Sequence, residues 1–220
     1  MVDSECSIVS ISEDFTVEKE DIYYSILPTA TAPADINVEC ITDVPLPDET
    51  LITDESDNGG VPVVAWDNDL SDGNSCPETI TRTWTYTDAC GNNATVSQEI
   101  IIDDTTPPTA DLSSPANGDS IDPAIINAQA YIEVTFTDSG DGVDAASIDG
   151  NELSISGSGV GTATLSGGAP TLVSGTTYRY GFSGDFVAGT VDVDFVAGSF
   201  ADLAGTPNVN ILETESFTVA

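Results

Sequence analysis

Histidine is absent from the chain, and lysine and arginine together number three against 38 acids. Without histidine, Ser-His and Cys-His catalysis are ruled out, as is any mixed Cys/His zinc site. So few basic residues exclude nucleic acid as a partner, because that binding works by Lys and Arg displacing counterions from phosphates. An anionic membrane surface is disfavoured on the same ground. Long apolar runs are missing too, none approaching the roughly 18 residues of a membrane span, so membrane insertion is not expected. The opening residues MVDSEC have neither the basic nor the apolar part of a signal peptide, so a secreted protein would carry this chain as an internal stretch. No segment shows a 3.6-residue apolar period between caps, which leaves little room for helix.

At 220 residues the chain holds one large or two ordinary domains, and 40% of its residues are hydrophobic. That is enough to bury cores, so the chain is not a disordered acidic tail. Its formal net charge of -35 opposes compaction unless cations answer it. Divalent ions or a saline medium are the natural companions. The even cysteine count, Cys6, Cys40, Cys76 and Cys90, points to two disulfides and an oxidising compartment.

Strand signals dominate. TITRTWTYTD (79–88), TVSQEIIID (95–103), AYIEVTFTD (130–138), TTYRYGF (176–182) and GTVDVDFVAG (189–198) alternate with period two and are rich in Thr, Val, Ile, Tyr and Phe. Clusters of Gly, Asn, Asp and Pro punctuate them every ten or so residues, which reads as all-β with Greek-key, Ig-like sandwiches. An internal echo implies two of them. YTDACGNNA (86–94) and FADLAGTPN (200–208) each place an aromatic two before an Asp, a Gly three after it and an Asn soon after, then a last strand. Between the halves runs QEIIIDDTTPPTAD (98–111), where consecutive prolines favour a short, stiff, extended spacer. The expected layout is a first sandwich over 34–104, a linker over 105–108 and a second sandwich over 109–220. Residues 1–33 are an additional strand segment or the remnant of a preceding repeat.

Aspartates gather at predicted strand ends: DESDN (54–58), WDNDLSDGN (66–74), DDTT (103–106) and DSGDGVD (138–144). Carboxylates crowded by turns repel one another unless a hard cation sits among them, and calcium takes six to eight such oxygens. The plain alternative is that Asp and Asn favour turns through local hydrogen bonds. DNDLSDGNSCPE (67–78) mimics an EF-hand loop, with Asp67, Asp69, Ser71 and Glu78 near ligand positions, but its glycine is one place late and Pro77 intrudes. The boundary acids are the better candidates, so a calcium site is expected from Asp103 and Asp104 with Asp138 and Asp202. TFTDSGDG (135–142) contains the D-S-G of aspartic proteases, whose mechanism needs a second such carboxylate, and no second tripeptide is present. A glycosidase pair is not recognisable among so many acids. No catalytic residue is assigned. Trp66, Trp84, Tyr86 and Tyr131 would serve as sugar-stacking platforms if exposed, and as core if buried.

DINVEC (35–40) followed by CPETITRTWTYTDACGNNATVSQEIIIDDTTPP (76–108) resembles the hyalin-repeat-like modules found in tandem in large secreted surface proteins of Bacteroidetes-type bacteria. FTDSGDGVDAASIDGNELSISGSG (136–159), GTTYRYGFSG (175–184) and VAGSFADLAG (196–205) are similar, more loosely, to bacterial Ig-like repeats of giant adhesins. These resemblances imply extracellular rods of sandwiches, often calcium-dependent and without chemistry of their own. The partners they imply are neighbouring repeats and a surface glycan or protein receptor. One departure stands out: DNGG (57–60) occupies a loop that in such modules often reads D-N-C-G. Cys76 and Cys90 flank one predicted strand, whose length holds them roughly 30 Å apart, beyond the reach of a disulfide. The expected pairs are therefore Cys40 with Cys76, at one end of an antiparallel sandwich, and Cys6 with Cys90. The resulting expectation is a structural spacer or adhesin stalk at the cell surface, not an enzyme. The alternative is a carbohydrate- or ligand-binding module.

Overall fold

TITRTWTYT forms the longest regular ladder among the described residues, and its alternation explains why. In the computed structural model, which describes residues 27–57, 60–74 and 76–220, Ile80, Arg82, Trp84 and Tyr86 are buried while the threonines between them face outward. The chain is all-β in character and divides into two compact units, Met1–Asp103 and Asp104–Ala220.

The described part of the first unit holds β1 (Thr29–Thr31), β2 (Ile36–Val38), β3 (Thr53–Ser56), β4 (Val63–Ser71), β5 (Glu78–Thr87) and β6 (Asn93–Ile102). One sheet runs β2-β6-β5-β4, with β2 parallel to β6, and a two-stranded sheet joins β1 to β3. Thr29–Thr31 therefore adds to this unit by pairing with β3, and the rest of the 1–33 expectation, residues 1–26, lies outside the described residues. Ile80, Ile100 and Ile102 pack with Ile36, Val38 and Val44 on the inner face. Asp35 accepts from the Glu99 amide at 2.8 Å and Ala34 O accepts from Gln98 Nε2 at 2.6 Å, which ties the start of β2 to β6.

Val38 and Glu78 both lie opposite Ile102, from its two sides. Cys40 and Cys76 thus overhang the same end of the sheet, but the expected Cys40–Cys76 bridge is not formed. With β6 between β2 and β5, their strands stand about two spacings, roughly 9.6 Å, apart, and a disulfide needs Cα atoms within about 7 Å. Cys40 Sγ instead lies 2.7 Å from Thr42 Oγ1 and 3.2 Å from Asp43 Oδ2, and Cys76 Sγ lies 3.8 Å from Asp103 Oδ1. The expected Cys6–Cys90 pair involves Cys6, which lies outside the described residues.

The second unit comprises β7 (Thr109–Ser114), β8 (Ser120–Ile121), α1 (Pro123–Gln129), β9 (Tyr131–Thr137), β10 (Leu153–Ser156), β11 (Thr164–Leu165), β12 (Thr171–Ser174), β13 (Thr177–Ser183), β14 (Gly189–Phe195) and β15 (Glu213–Val219). Two sheets form, β11-β13-β9-β7 with β12 on β13, and β10-β14-β15-β8. Ile132, Val134 and Phe136 of the first and Val191, Val193 and Phe217 of the second share one core, each almost fully sealed from water. Burial of such side chains contributes about 1.5–3 kcal/mol apiece. Phe136 meets Tyr178 and Phe200 edge to face, and Phe186 meets Phe182 and Phe217 in the same way.

α1 is a helix for which the sequence, lacking any 3.6-residue apolar period, left little room. Asp122 caps it by accepting from Ala124 N at 2.7 Å, Pro123 opens it, and Ala130 ends it in the left-handed region at φ 58°. Of its seven residues only Ile126 is buried, so no apolar period was there to read.

Candidate metal centre

The echo noted in the sequence is a structural device used once in each unit. Asp88 Oδ1 accepts from Cys90 N and Asn92 N, both at 2.8 Å, while Oδ2 accepts from Asn92 Nδ2 at 2.8 Å. Asp202 Oδ1 likewise accepts from Ala204 N at 3.1 Å and Asn208 N at 2.9 Å, and Oδ2 from Asn208 Nδ2 at 2.8 Å. Backbone bonds close both loops, Asp88 N to Asn92 O at 2.9 Å and Asp202 N to Asn208 O at 3.1 Å. The aromatics two places upstream, Tyr86 and Phe200, are buried. Each carboxylate thereby holds the turn that feeds the last strand of its unit.

Around Asp202 this clasp acquires further acids. Asp104, Asp138 and Asp202 each bring a carboxylate oxygen within 4.8 Å of the other two. Asp104 opens the second unit, Asp138 ends the run of β9, and Asp202 sits in the loop before β15. Asp104 and Asp202 are buried and Asp138 is half-buried. Asp104 accepts from Thr106 N at 3.0 Å and Asp141 N at 2.8 Å. Asp138 Oδ2 accepts from Gly140 N at 2.8 Å and Gly142 N at 2.9 Å. Its other oxygen, Oδ1, is sealed from solvent with no hydrogen-bond partner. The D-S-G tripeptide forms a turn held by its own aspartate.

Burial, reinforced by the negative charges of Asp138 and Asp202, raises the Asp104 carboxyl above its ordinary pKa, although the amides of Asp141 and Thr106 pull the other way. Gly140 makes the approach possible, because a Cβ there would overlap the Asp104 carboxylate. Three short carboxylates gathered in one cluster suit a hard cation, since Asp138 Oδ1 accepts no hydrogen bond and Asp202 Oδ2 accepts one, which leaves lone pairs for a metal.

Of the four expected ligands the structure brings three together. Asp103 belongs to the first unit, where its amide donates to Val38 O at 2.9 Å and its carboxylate faces Cys76. Asp69, from the EF-hand-like stretch, lies on β4 and pairs with Arg82. Asn208 and Gly140 were not singled out from the sequence. Asn208 Nδ2 bridges Asp202 and the Asp104 carbonyl, the latter at 2.9 Å, and the echo around 200–208 was the signal for it.

Residues 28–102 match the family described as an HYR-like domain with 4 cysteines. No curated protein matches the chain. Among solved structures the chain is similar to the protocadherin gammaB7 EC3-6 cis-dimer structure, at 11% identity and TM-score 0.34, covering 88% of this chain and 47% of that one. It is also similar to the protocadherin gammaB4 extracellular domain, at 12% identity and TM-score 0.33, with coverage of 88% and 32%. The chain spans about half or less of the length of these structures.

Proposed function

We propose that the chain is a stretch of a long secreted, cell-surface protein in which it acts as a non-catalytic spacer or adhesin stalk. Its second unit is braced by a calcium ion held by Asp104, Asp138 and Asp202. The HYR-like match of residues 28–102 supports the reading of the first unit as a hyalin-repeat-like module, with neighbouring repeats of the same polypeptide as its natural partners. The second unit, in this reading, is a bacterial Ig-like repeat. Among the described residues no helix is long and apolar enough to cross a membrane.

The observation that carries the calcium reading is the sealed, unpartnered Oδ1 of Asp138, on a carboxylate clustered with those of Asp104 and Asp202. An ion there turns three mutually repelling groups into one attractive cluster. It also fixes Asp104, whose side chain holds Thr106 N at the start of the TTPP stretch. Calcium titrated into chelated protein should raise the melting temperature, by about 2.7 kcal/mol of added stability at 100 times the dissociation constant. Asp138→Ala should abolish that rise. If sodium chloride of equal ionic strength reproduces the whole effect in the native chain, the acids are ordinary solvated turns and the calcium reading fails.

A further inference from the structure

One aromatic in the first unit is neither core nor loose. Trp84 and Tyr86 are buried on β5, whereas Trp66, which lies opposite Trp84 in the β4–β5 ladder, remains 46% exposed. An exposed indole would ordinarily rotate freely, but this one is held through its ring nitrogen, and its backbone is held as well. Trp66 Nε1 donates to Asp69 Oδ1 at 3.2 Å, and the Trp66 amide donates to Glu49 Oε1 at 3.3 Å. Asp69 is fixed in turn by Arg82, which donates from Nε at 2.9 Å and from Nη2 at 2.7 Å while its own side chain is only 4% exposed. A buried cation thus orients a carboxylate, and the carboxylate orients an exposed ring.

The ring lines an open groove whose other wall is Pro45, Leu46 and Pro47, with Leu46 87% exposed. Two prolines limit the freedom of that wall, so both sides of the groove are stiff before anything enters it. An apolar cleft with a few convergent polar groups and pre-oriented walls has the form of a ligand site.

We infer that the groove between Trp66 and Pro45–Pro47 binds a neutral glycan chain. The apolar C–H face of a pyranose ring stacks on a flat indole, and sugar hydroxyls are donors that suit the carboxylates of Glu49 and Asp69. Charge selects against the alternatives. Acidic polysaccharide is repelled by a chain of net charge -35, and a cationic peptide would be drawn to acids over the whole surface with no preference for this groove. This inference rests on the first unit alone and is independent of the calcium reading.

The chain contains two tryptophans, and Trp84 is fully buried, so a change in tryptophan emission on binding reports Trp66. The full chain would be titrated with cellohexaose, xylohexaose and mannohexaose, with an oligogalacturonate as the anionic control, following emission and heat. At least one neutral hexasaccharide should bind saturably with a dissociation constant of about 1 mM or tighter, and the oligogalacturonate should not. Trp66→Ala should weaken that binding at least tenfold while the chain still melts in a single cooperative step, so that the loss is not one of folding. Leu46→Asp, at a position too exposed to affect folding, should weaken it as well. Absence of saturable binding by all three neutral sugars, equal binding of the anionic one, or undiminished binding by both variants would overturn the inference. So would preferential capture of a proline-rich hexapeptide, which would assign the groove to a different class of ligand.

Discussion

Arg82 is a guanidinium with almost no access to water, held by one carboxylate that is itself 27% exposed. The Arg82 hydrogen bonds depress the Asp69 carboxyl below its ordinary 3.8. A lowered folded pKa means stability that is present above the unfolded value and lost as pH falls through the folded one. Asp69→Asn removes the counter-charge while keeping the shape. It should cost on the order of 2 kcal/mol at neutral pH, below the usual figure for a buried pair because Asp69 is partly solvated. Urea melts from about pH 7 to about pH 2.5 should show native and variant converging below pH 3.8, and a pH-independent gap would refute the linkage. In the second unit, fully buried Glu152 accepts from Tyr180 Oη at 2.7 Å and from the amides of Asp149 and Gly150. Burial and the Glu152 contact push the Tyr180 hydroxyl far above its usual pKa of 10.0. This stability is complete below pH 10 and declines at higher pH, as the unfolded chain alone loses its proton. Tyr180→Phe should cost about 1.5–3 kcal/mol, the range for a bond to a charged group, and should flatten the alkaline limb of a stability-against-pH curve.

At the scale of elements, the Asp–Asn clasps explain why two unrelated-looking stretches share a pattern. In 86–94 and 200–208 the chain must leave one strand and enter the last one, and an aspartate satisfies the turn amides while an asparagine locks its second oxygen. Asn208→Ala removes the side-chain donor to both Asp202 and the Asp104 carbonyl, so it should destabilise the second unit by about 2 kcal/mol. Gly140→Ala acts on the same cluster by displacing the Asp104 carboxylate, at about 1–3 kcal/mol for overpacking. Calorimetry with and without calcium separates the two. Asn208→Ala should retain part of the calcium response, because all three carboxylates remain, and Gly140→Ala should lose it, because one is forced out of place. The strands themselves were legible. β5, β9 and β13 alternate because one face of each is buried, and a slip of one residue would expose Trp84, Val134 or Tyr180. α1 was not legible, since its signals are a capping Asp122 and Pro123 with a single buried side chain.

For the whole molecule the dominant fact is a net charge of -35 spread over two cores that are otherwise ordinary. Self-repulsion on that scale is screened by salt, the Debye length shrinking from about 10 Å at 0.1 M to about 3 Å at 1 M. Melting temperature should therefore rise with sodium chloride, and calcium should add a further rise at equal ionic strength that saturates. A chain insensitive to both would mean that the acids are too well solvated to oppose folding. What the sequence determined by itself is the class of fold, the Asp–Asn echo and the exclusion of histidine chemistry, because each depends on residue type and short spacing along one strand or turn. Only the tertiary structure decided which acids converge. Asp103 and Asp104 are neighbours in the chain, yet one turns to β2 and Cys76 and the other to Asp138 and Asp202. Only the tertiary structure, likewise, set Trp66 apart from Trp84, because exposure of an alternating strand residue depends on what packs over it, and periodicity carries no record of that.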